Sequence, residues 1–323
     1  MVTAMRGGGP IIEAMRVLHC CYCCDDADAA VRFLEQGIGL DARVHSRKIR
    51  TDGSPLGIPR TVESDVCLVY DGRGPRVSPA IEVHGWIDPP ATGQPYDVAW
   101  QVGIQAIGVG VPSLADALAG LTRLGAVVVG STPSDLLSFG GTSAIVRAPD
   151  GVCFDVLERP ALDGTRFAHL RVTCTGLERS VEWYTALGWS VIGDGHEVRV
   201  PGDVFATGAD AVVSYARLRL PDEPFGLLLV QWHEPRSRVG SGAPYDAANH
   251  RGLYRLALGV EDTRAATRRL VASGWTPTSE PSLIELPGTK VPDMWITFLA
   301  DPDGIVVQLV ERERAAFADF KEA

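Results

Sequence analysis

The densest group of reactive side chains in this chain is "HCCYCC", His19 to Cys24, where one histidine and four cysteines share six positions. Thiols and an imidazole this close suggest a metal site or a redox centre, and two C-x-x-C spacings overlap in the stretch. A zinc knuckle needs a tight turn between its thiols, and no glycine or proline is present to make one. The surrounding residues predict a strand instead. Alternation then sends His19, Cys21 and Cys23 to one face and Cys20, Tyr22 and Cys24 to the other. All four sulfurs cannot meet one ion from a single strand. Cysteine reads here as a small apolar residue, one set packing on a helix and the other lining a cavity. His19 is the residue in this stretch with chemistry to offer.

The totals bound what such a site can serve. The chain has 323 residues, net charge −10, 46% hydrophobic residues and 35 glycines, enough for two ordinary globular domains. An acidic balance without a Lys/Arg block argues against nucleic acid or an anionic membrane as partner. No apolar run reaches the ~18 residues of a membrane span, and "MVTAMRGGGPIIEAM" is too short in apolar core for a secretory signal. A cytoplasmic protein handling a small molecule is expected, with a homodimer as the assembly left open. Seven cysteines is an odd count in a chain large enough to be held by its own core, so free thiols rather than a disulfide framework are expected.

The elements that must position these residues come in repeats. "WIDPPATGQPYD" (86–97) is answered by "WHEPRSRVGSGAPYD" (232–246), Gly103 by Gly252, and "APDGVCFDVLE" (148–158) by "DPDGIVVQLVE" (301–311). The matched pairs lie 146 to 153 residues apart, so one unit of about 150 residues occurs twice, joined near "RPALDGTR". Each unit divides again. Four amphipathic segments, "DADAAVRFLEQGIGL", "SLADALAGLTRLGA", "LERSVEWYTALGW" and "DTRAATRRLVASGW", predict helices ending at Gly39, Gly125, Gly188 and Gly274. A strand precedes each and strands broken by Gly and Pro follow. The pattern is strand, helix, three strands, four times over.

In this pattern the sequence resembles the vicinal oxygen chelate superfamily, which includes glyoxalase I, fosfomycin and bleomycin resistance proteins, methylmalonyl-CoA epimerase and extradiol dioxygenases. The marks are "HCCYCCDDADAAVRFL" and "HLRVTCTGLERSVEWY", a strand-borne histidine followed by a D-x-x-x-[SA]-like helix start, and the "APDG" and "DPDG" turns before a closing strand. The resemblance implies an α+β fold of four βαβββ modules in two tandem domains, residues 14–160 and 166–313, each with a cup-shaped mixed β-sheet flanked by helices. The joint between them predicts that each half closes its own cup and folds alone.

The resemblance also implies metal ligands on the first and fourth strands of paired modules. In the first half these positions are His19, Glu82, Ala106 and Asp155; in the second they are His169, Leu228, Arg255 and Gln308. His19, Glu82 and Asp155 are the expected ligands of a divalent ion, with Fe, Mn, Zn or Ni as candidates or no metal at all. His84, two residues beyond Glu82, replaces the nitrogen that Ala106 lacks, and Gln105 faces away unless a bulge turns it. Arg171 and Arg255 beside His169 would repel a cation and attract a carboxylate, enolate or phosphate, unless Arg255 instead ties the two halves by an ion pair. The expected catalytic residues are Glu82, His84, His169 and Arg255, Glu82 being the favoured base. Arg171, Tyr254, Gln308, Trp86 and Trp232 are expected to bind substrate, although the duplicated tryptophans also suit packing.

The favoured function is a metal-dependent lyase or isomerase acting on a carbonyl or aromatic compound through an enolate-like intermediate. An extradiol-type dioxygenase is one alternative. A metal-free binding, resistance or biosynthetic protein is the other, and an enzyme is preferred to it.

Overall fold

A computed structural model describes residues 9–132, 141–205, 207–221, 223–234, 243–245, 247–285 and 293–317. Much of the repeated "WHEPRSRVGSGAPYD" stretch lies outside these residues. The chain follows the fourfold pattern read from sequence. The first module is β1 (Arg16–Cys24), α1 (Ala27–Phe33), β2 (Asp41–Asp52), β3 (Thr61–Tyr70) and β4 (Ala80–Asp88). The second is β5 (Gly103–Val111), α2 (Leu114–Arg123), β6 (Val127–Thr132), β7 (Ser143–Arg147) and β8 (Cys153–Glu158). The third is β9 (Arg166–Cys174), α3 (Leu177–Ala186), β10 (Ser190–Val200), β11 (Ala211–Arg219) and β12 (Gly226–Glu234). The fourth is β13 (Gly252–Val260), α4 (Thr263–Ala272), β14 (Ser282–Glu285), β15 (Asp293–Ala300) and β16 (Val306–Glu311).

Local chemistry sets the helix limits. Asp26, Ser113 and Asp262 accept the backbone N–H of the third residue on, which supplies a partner to one of the unpaired donors of a helix start. The first helix runs on through a π turn, Leu34–Ile38. Gly39, Gly125, Gly188 and Gly274 have φ between +81° and +101°, the left-handed stop that favours glycine.

Two eight-stranded sheets result, in the orders β14-β15-β16-β13-β1-β4-β3-β2 and β10-β11-β12-β9-β5-β8-β7-β6. This corrects the expectation that each half closes its own cup. The first module pairs with the fourth, through β1 antiparallel to β13, and the second with the third, through β5 antiparallel to β9. The physical reason is connection length. Only residues 159–165 separate β8 from β9, whereas 89–102 and 235–251 separate the other modules, and short connections favour neighbouring strands.

The outer faces of both sheets and the helices share one core. Cys20, Tyr22, Cys24, Ile81 and Val83 of the first sheet, Ile104, Val109, Phe154 and Val156 of the second, and Phe33, Leu121, Tyr184 and Leu270 of the helices belong to one buried cluster. The predicted alternation in β1 holds, since Cys21 and Cys23 leave this core for a separate cluster with Val62, Trp86, Ala91 and Ala248 on the opposite face.

Candidate active site

The inner face of the first sheet gathers polar groups on adjacent rungs. β1 runs parallel to β4, with Cys21 beside Glu82 and Cys23 beside His84. On the other side His19 pairs with Ala257, which in turn pairs with Gln308. The β1–β13 register shifts between Cys20 and Tyr22, which leaves Cys21 opposite Tyr254 and Arg255 together. A bulge of this kind re-aims side chains.

Arg255, 5% exposed, donates from Nη2 to Glu82 Oε2 at 2.5 Å and from Nε to Gln308 Oε1 at 3.0 Å. His19 Nε2 lies 3.6 Å from the same Glu82 oxygen. His84 stacks on Trp86, ring centroids 4.5 Å apart and planes 5° from parallel. Half-buried Tyr254 packs against the neighbouring Cys21–Cys23–Trp86 cluster. His19 Nε2, both ring nitrogens of His84, Trp86 Nε1 and Arg255 Nη1 are buried without a hydrogen-bond partner among the described residues. Buried polar atoms are normally paired, so such a concentration marks a place prepared for something else.

Charge on this face is settled by the arginine. Burial by itself would raise the Glu82 carboxyl, but Arg255, followed by His19 and His84, draws it down to about 2. Burial lowers His84 to about 4 despite the pull of Glu82, and lowers His19 as well. At neutral pH the face holds one carboxylate, one guanidinium and two neutral imidazoles.

The second sheet uses the same positions to a different end. Asp155 and His169 flank Gly108 on one rung, with His169 Nε2 3.0 Å from Asp155 Oδ2. A Cβ at Gly108 would stand 2.5 Å from the His169 ring, so only glycine permits that pair. Arg171 clamps the carboxylate at 2.9 Å and 3.0 Å. Asp155, His169 and Arg171 are all at most 2% exposed. Burial opposes ionisation of Asp155, yet Arg171 and then His169 hold its carboxyl well below the usual range. Above them Val200, Val204, Phe205 and Trp232 fill the cup, with Phe205 on the Arg171 guanidinium at 5.2 Å and Trp232 wedged between Phe205 and Trp100. A bulge does fall at Gln105, but its amide is spent on the Gln101 carbonyl.

Residues 166–309 match the family described as glyoxalase/bleomycin resistance protein/dioxygenase superfamily. That stretch carries the superfamily's sequence pattern. Among solved structures, glyoxalase I from Zea mays is similar at 18% identity over 92% of each chain, with a TM-score of 0.66. A Bacillus subtilis protein assigned to the dioxygenases is similar at 12% identity, over 93% of this chain and 86% of its own, with a TM-score of 0.60. These likenesses carry the tandem fold. A search among curated proteins finds no match in sequence.

The likeness to this superfamily raises the question of a metal, and the four expected positions can be tested against their geometry. Cross-pairing makes His19, Glu82, Arg255 and Gln308 one set and Ala106, Asp155, His169 and Leu228 the other. Neither set fits an ion. In the first the guanidinium already sits on the carboxylate; in the second Asp155 is taken by Arg171 and His169, and Ala106 and Leu228 have no donor atom. The expected trio His19, Glu82 and Asp155 is split between sheets, and Arg255, expected beside His169, stands instead on Glu82. The ion pair between halves, the other reading of Arg255, is what forms. His169 and Arg171 are walled in, and Trp232 is part of the filling rather than a wall open to substrate. His19, Glu82, His84, Trp86, Tyr254, Arg255 and Gln308 do come together.

The structure adds Cys21. Its Sγ, a Glu82 carboxylate oxygen and a His84 ring nitrogen lie within 4.8 Å of one another, a donor group able to hold a metal ion. Strand parity placed Cys21 on the face of His19, but only the β1–β4 register reveals that it stands beside Glu82. Phe205, which closes the second cup, carries no motif and was missed. Among the described residues no helix is long and apolar enough to cross a membrane.

Proposed function

We propose that this chain is a small-molecule enzyme of the lyase or isomerase type that works in the cup of the first sheet and moves a proton next to a carbonyl group through an enolate-like intermediate. The observation that supports it is the set of buried, unpartnered atoms His19 Nε2, His84 Nδ1 and Nε2, and Arg255 Nη1 on one apolar-walled face, whereas apolar side chains fill the second cup over the Asp155–Arg171 pair. Arg255 Nη1 is a donor directed at developing negative charge, the role of an oxyanion-binding group, and in a desolvated site such a charge-assisted bond acts strongly.

The proton falls to His19 rather than to Glu82. A carboxyl drawn down to about 2 is a feeble base, whereas a neutral imidazole accepts readily and its cation is then stabilised by Glu82 at 3.6 Å. Gln308 accepts from Arg255 Nε and stands across Ala257 from His19, which keeps the acceptor and the oxyanion donor in register. The apolar walls, with Trp86 and Tyr254 at one side and Phe298 and Ile296 at the other, suit a partly aromatic or aliphatic substrate. No step is assigned to an ion at the four superfamily positions, because their residues do not fit one. An extradiol mechanism has less support, since in both sheets the carboxylate its iron would need is held by an arginine.

The test is solvent exchange. Incubation with a panel of α-hydroxy ketones and aryl 2-oxo acids in D₂O, followed by proton NMR, should reveal deuterium entering the carbon beside the carbonyl of at least one compound. His19→Ala and Arg255→Lys should each slow that exchange by about 10² to 10⁴-fold. Exchange that persists at the wild-type rate in both variants would sink the assignment, and tight binding of a panel member without exchange would favour a binding protein.

A further inference from the structure

We propose that Cys21, Glu82 and His84, with Cys23 as fourth donor, form a thiolate-containing divalent-metal site, selective for zinc, on the floor of the first cup. The site shares Glu82 with the four positions that the superfamily resemblance indicates but takes its other donors, Cys21, Cys23 and His84, from outside them, and it does not depend on the catalytic reading above. Its first support is the donor group itself: one atom each from a thiol, a carboxylate and an imidazole within 4.8 Å, on neighbouring rungs of two hydrogen-bonded strands. Its second is His84. The ring is 7% exposed, is fixed in orientation by stacking on Trp86, and leaves both nitrogens without a hydrogen-bond partner among the described residues. A buried imidazole without partners costs free energy that coordination of one nitrogen would recover.

The sulfurs supply the third. Cys21 Sγ and Cys23 Sγ are 3.6 Å apart. Two thiolates on a tetrahedral ion with Zn–S of ~2.3 Å are separated by ~3.8 Å, so the pair is already close to the required edge. The carboxylate and imidazole must draw in to reach bonding distance, and Cys23 must release its hydrogen bond to the Ala248 carbonyl, changes that side-chain torsions supply. Glu82 has capacity for this, because Arg255 and His19 both address Oε2 and the second oxygen is available.

Arg255 is the charged group that must be reconciled with a cation. On binding, each thiol loses its proton to solvent and forms a metal–sulfur bond. Two thiolates, Glu82, a divalent ion and the Arg255 guanidinium then sum to zero, so the arginine balances the ligand set where it would have opposed an ion bound by neutral donors. Sulfur and nitrogen donors in a four-coordinate setting favour zinc over magnesium, calcium or manganese.

The test reads the metal and not turnover. Full-length protein, freed of metal by chelator dialysis, is titrated with Co²⁺ and then competed with Zn²⁺. One equivalent of Co²⁺ should bind with a near-ultraviolet thiolate charge-transfer band and the visible bands of tetrahedral cobalt, and Zn²⁺ should displace it. Cys21→Ser should lower the charge-transfer band and weaken binding by about 100-fold or more, and Cys21→Ser/Cys23→Ser should remove the band. His84→Gln should weaken binding to the same degree while the band persists, and it loses no hydrogen bond, so it serves if the cysteine variants fail to melt cooperatively. His19→Ala and Gln308→Ala should bind as wild type does. Stoichiometric binding without a thiolate band, loss of binding in His19→Ala with retention in Cys21→Ser, or no binding at all would each overturn the site.

Discussion

Tyr96 and Tyr245, a residue and its repeat, hydrogen-bond each other reciprocally: the backbone N–H of each donates to the hydroxyl of the other, at 2.9 Å and 3.2 Å. Their rings stack with centroids 4.1 Å apart. Each hydroxyl also lies over a repeated glycine, since a Cβ on Gly103 would be 2.2 Å from Tyr96 Oη and one on Gly252 2.6 Å from Tyr245 Oη. The four residues join the two halves about a local two-fold axis. Tyr96→Phe and Tyr245→Phe should each destabilise the protein by about 1–3 kcal/mol, because each leaves a backbone donor of the other half unpaired. Urea unfolding of both variants and the double variant measures this; a cost confined to one of the two would contradict the reciprocity.

A half-chain lacks partners for β1 and β5. Residues 1–160 alone should therefore not form a folded monomer, contrary to what the tandem layout suggested, and should either self-associate or remain non-cooperative. Light scattering with thermal unfolding followed by circular dichroism decides the matter. A monomer with a sharp transition would mean that the cross-paired sheets are not the stable arrangement.

Asp155 has lost its expected role as a ligand and acquired a structural one. Asp155→Ala would leave Arg171 charged, buried and unpaired, which costs about 3–5 kcal/mol. Denaturant midpoints should fall accordingly, while Co²⁺ uptake by the folded fraction should match wild type.

Glu223, 2% exposed, is pushed up by burial to about 7 from the usual 4.5, against a lesser downward pull from the Phe225 backbone N–H and Arg16. A carboxyl with a raised folded pKa contributes stability that is complete below pH 4.5 and is lost as pH rises to about 7. Glu223→Gln should thus gain up to about 3 kcal/mol over wild type at pH 8 and little at pH 4.5. Paired melts at the two pH values test the sign, and a gain at the acidic end would refute it.

Thiol chemistry distinguishes the cysteines by depth. Burial raises the thiols of Cys20 and Cys24, and all four residues from Cys20 to Cys24 that carry sulfur are at most 4% exposed. Half-buried Cys153 should react first with a water-soluble alkylating reagent, as followed by peptide mass spectrometry. Early labelling of Cys20 or Cys24 would be incompatible with the packing of β1 on α1.

The modules, the glycine stops and the facing of β1 were legible because each is a local matter of period and backbone preference. Which strand lies beside β1 was not, since β5 and β13 carry the same apolar alternation and either could satisfy its edge. That choice decides the site: it removes Asp155 from His19 and delivers Arg255 to Glu82. The residue types were read correctly and their company was not. Phe205 and Cys21 depend on the same long-range pairing, and no motif could report them.

Cross-pairing of the modules also separates the fates of the two cups. A protein of half this length, building the same sheets with a second copy of itself about a two-fold axis, would repeat every residue in both cups, and any side chain that filled one would fill the other. Covalent linkage in one chain lifts that constraint. His19 and His169 are repeats of each other, yet one stands beside Glu82 and Arg255 in the first cup and the other is sealed beside Arg171. The sealed cup can therefore be specialised for rigidity without cost to its twin, so that asymmetry, forbidden to the symmetric assembly, becomes the property that tandem fusion makes available.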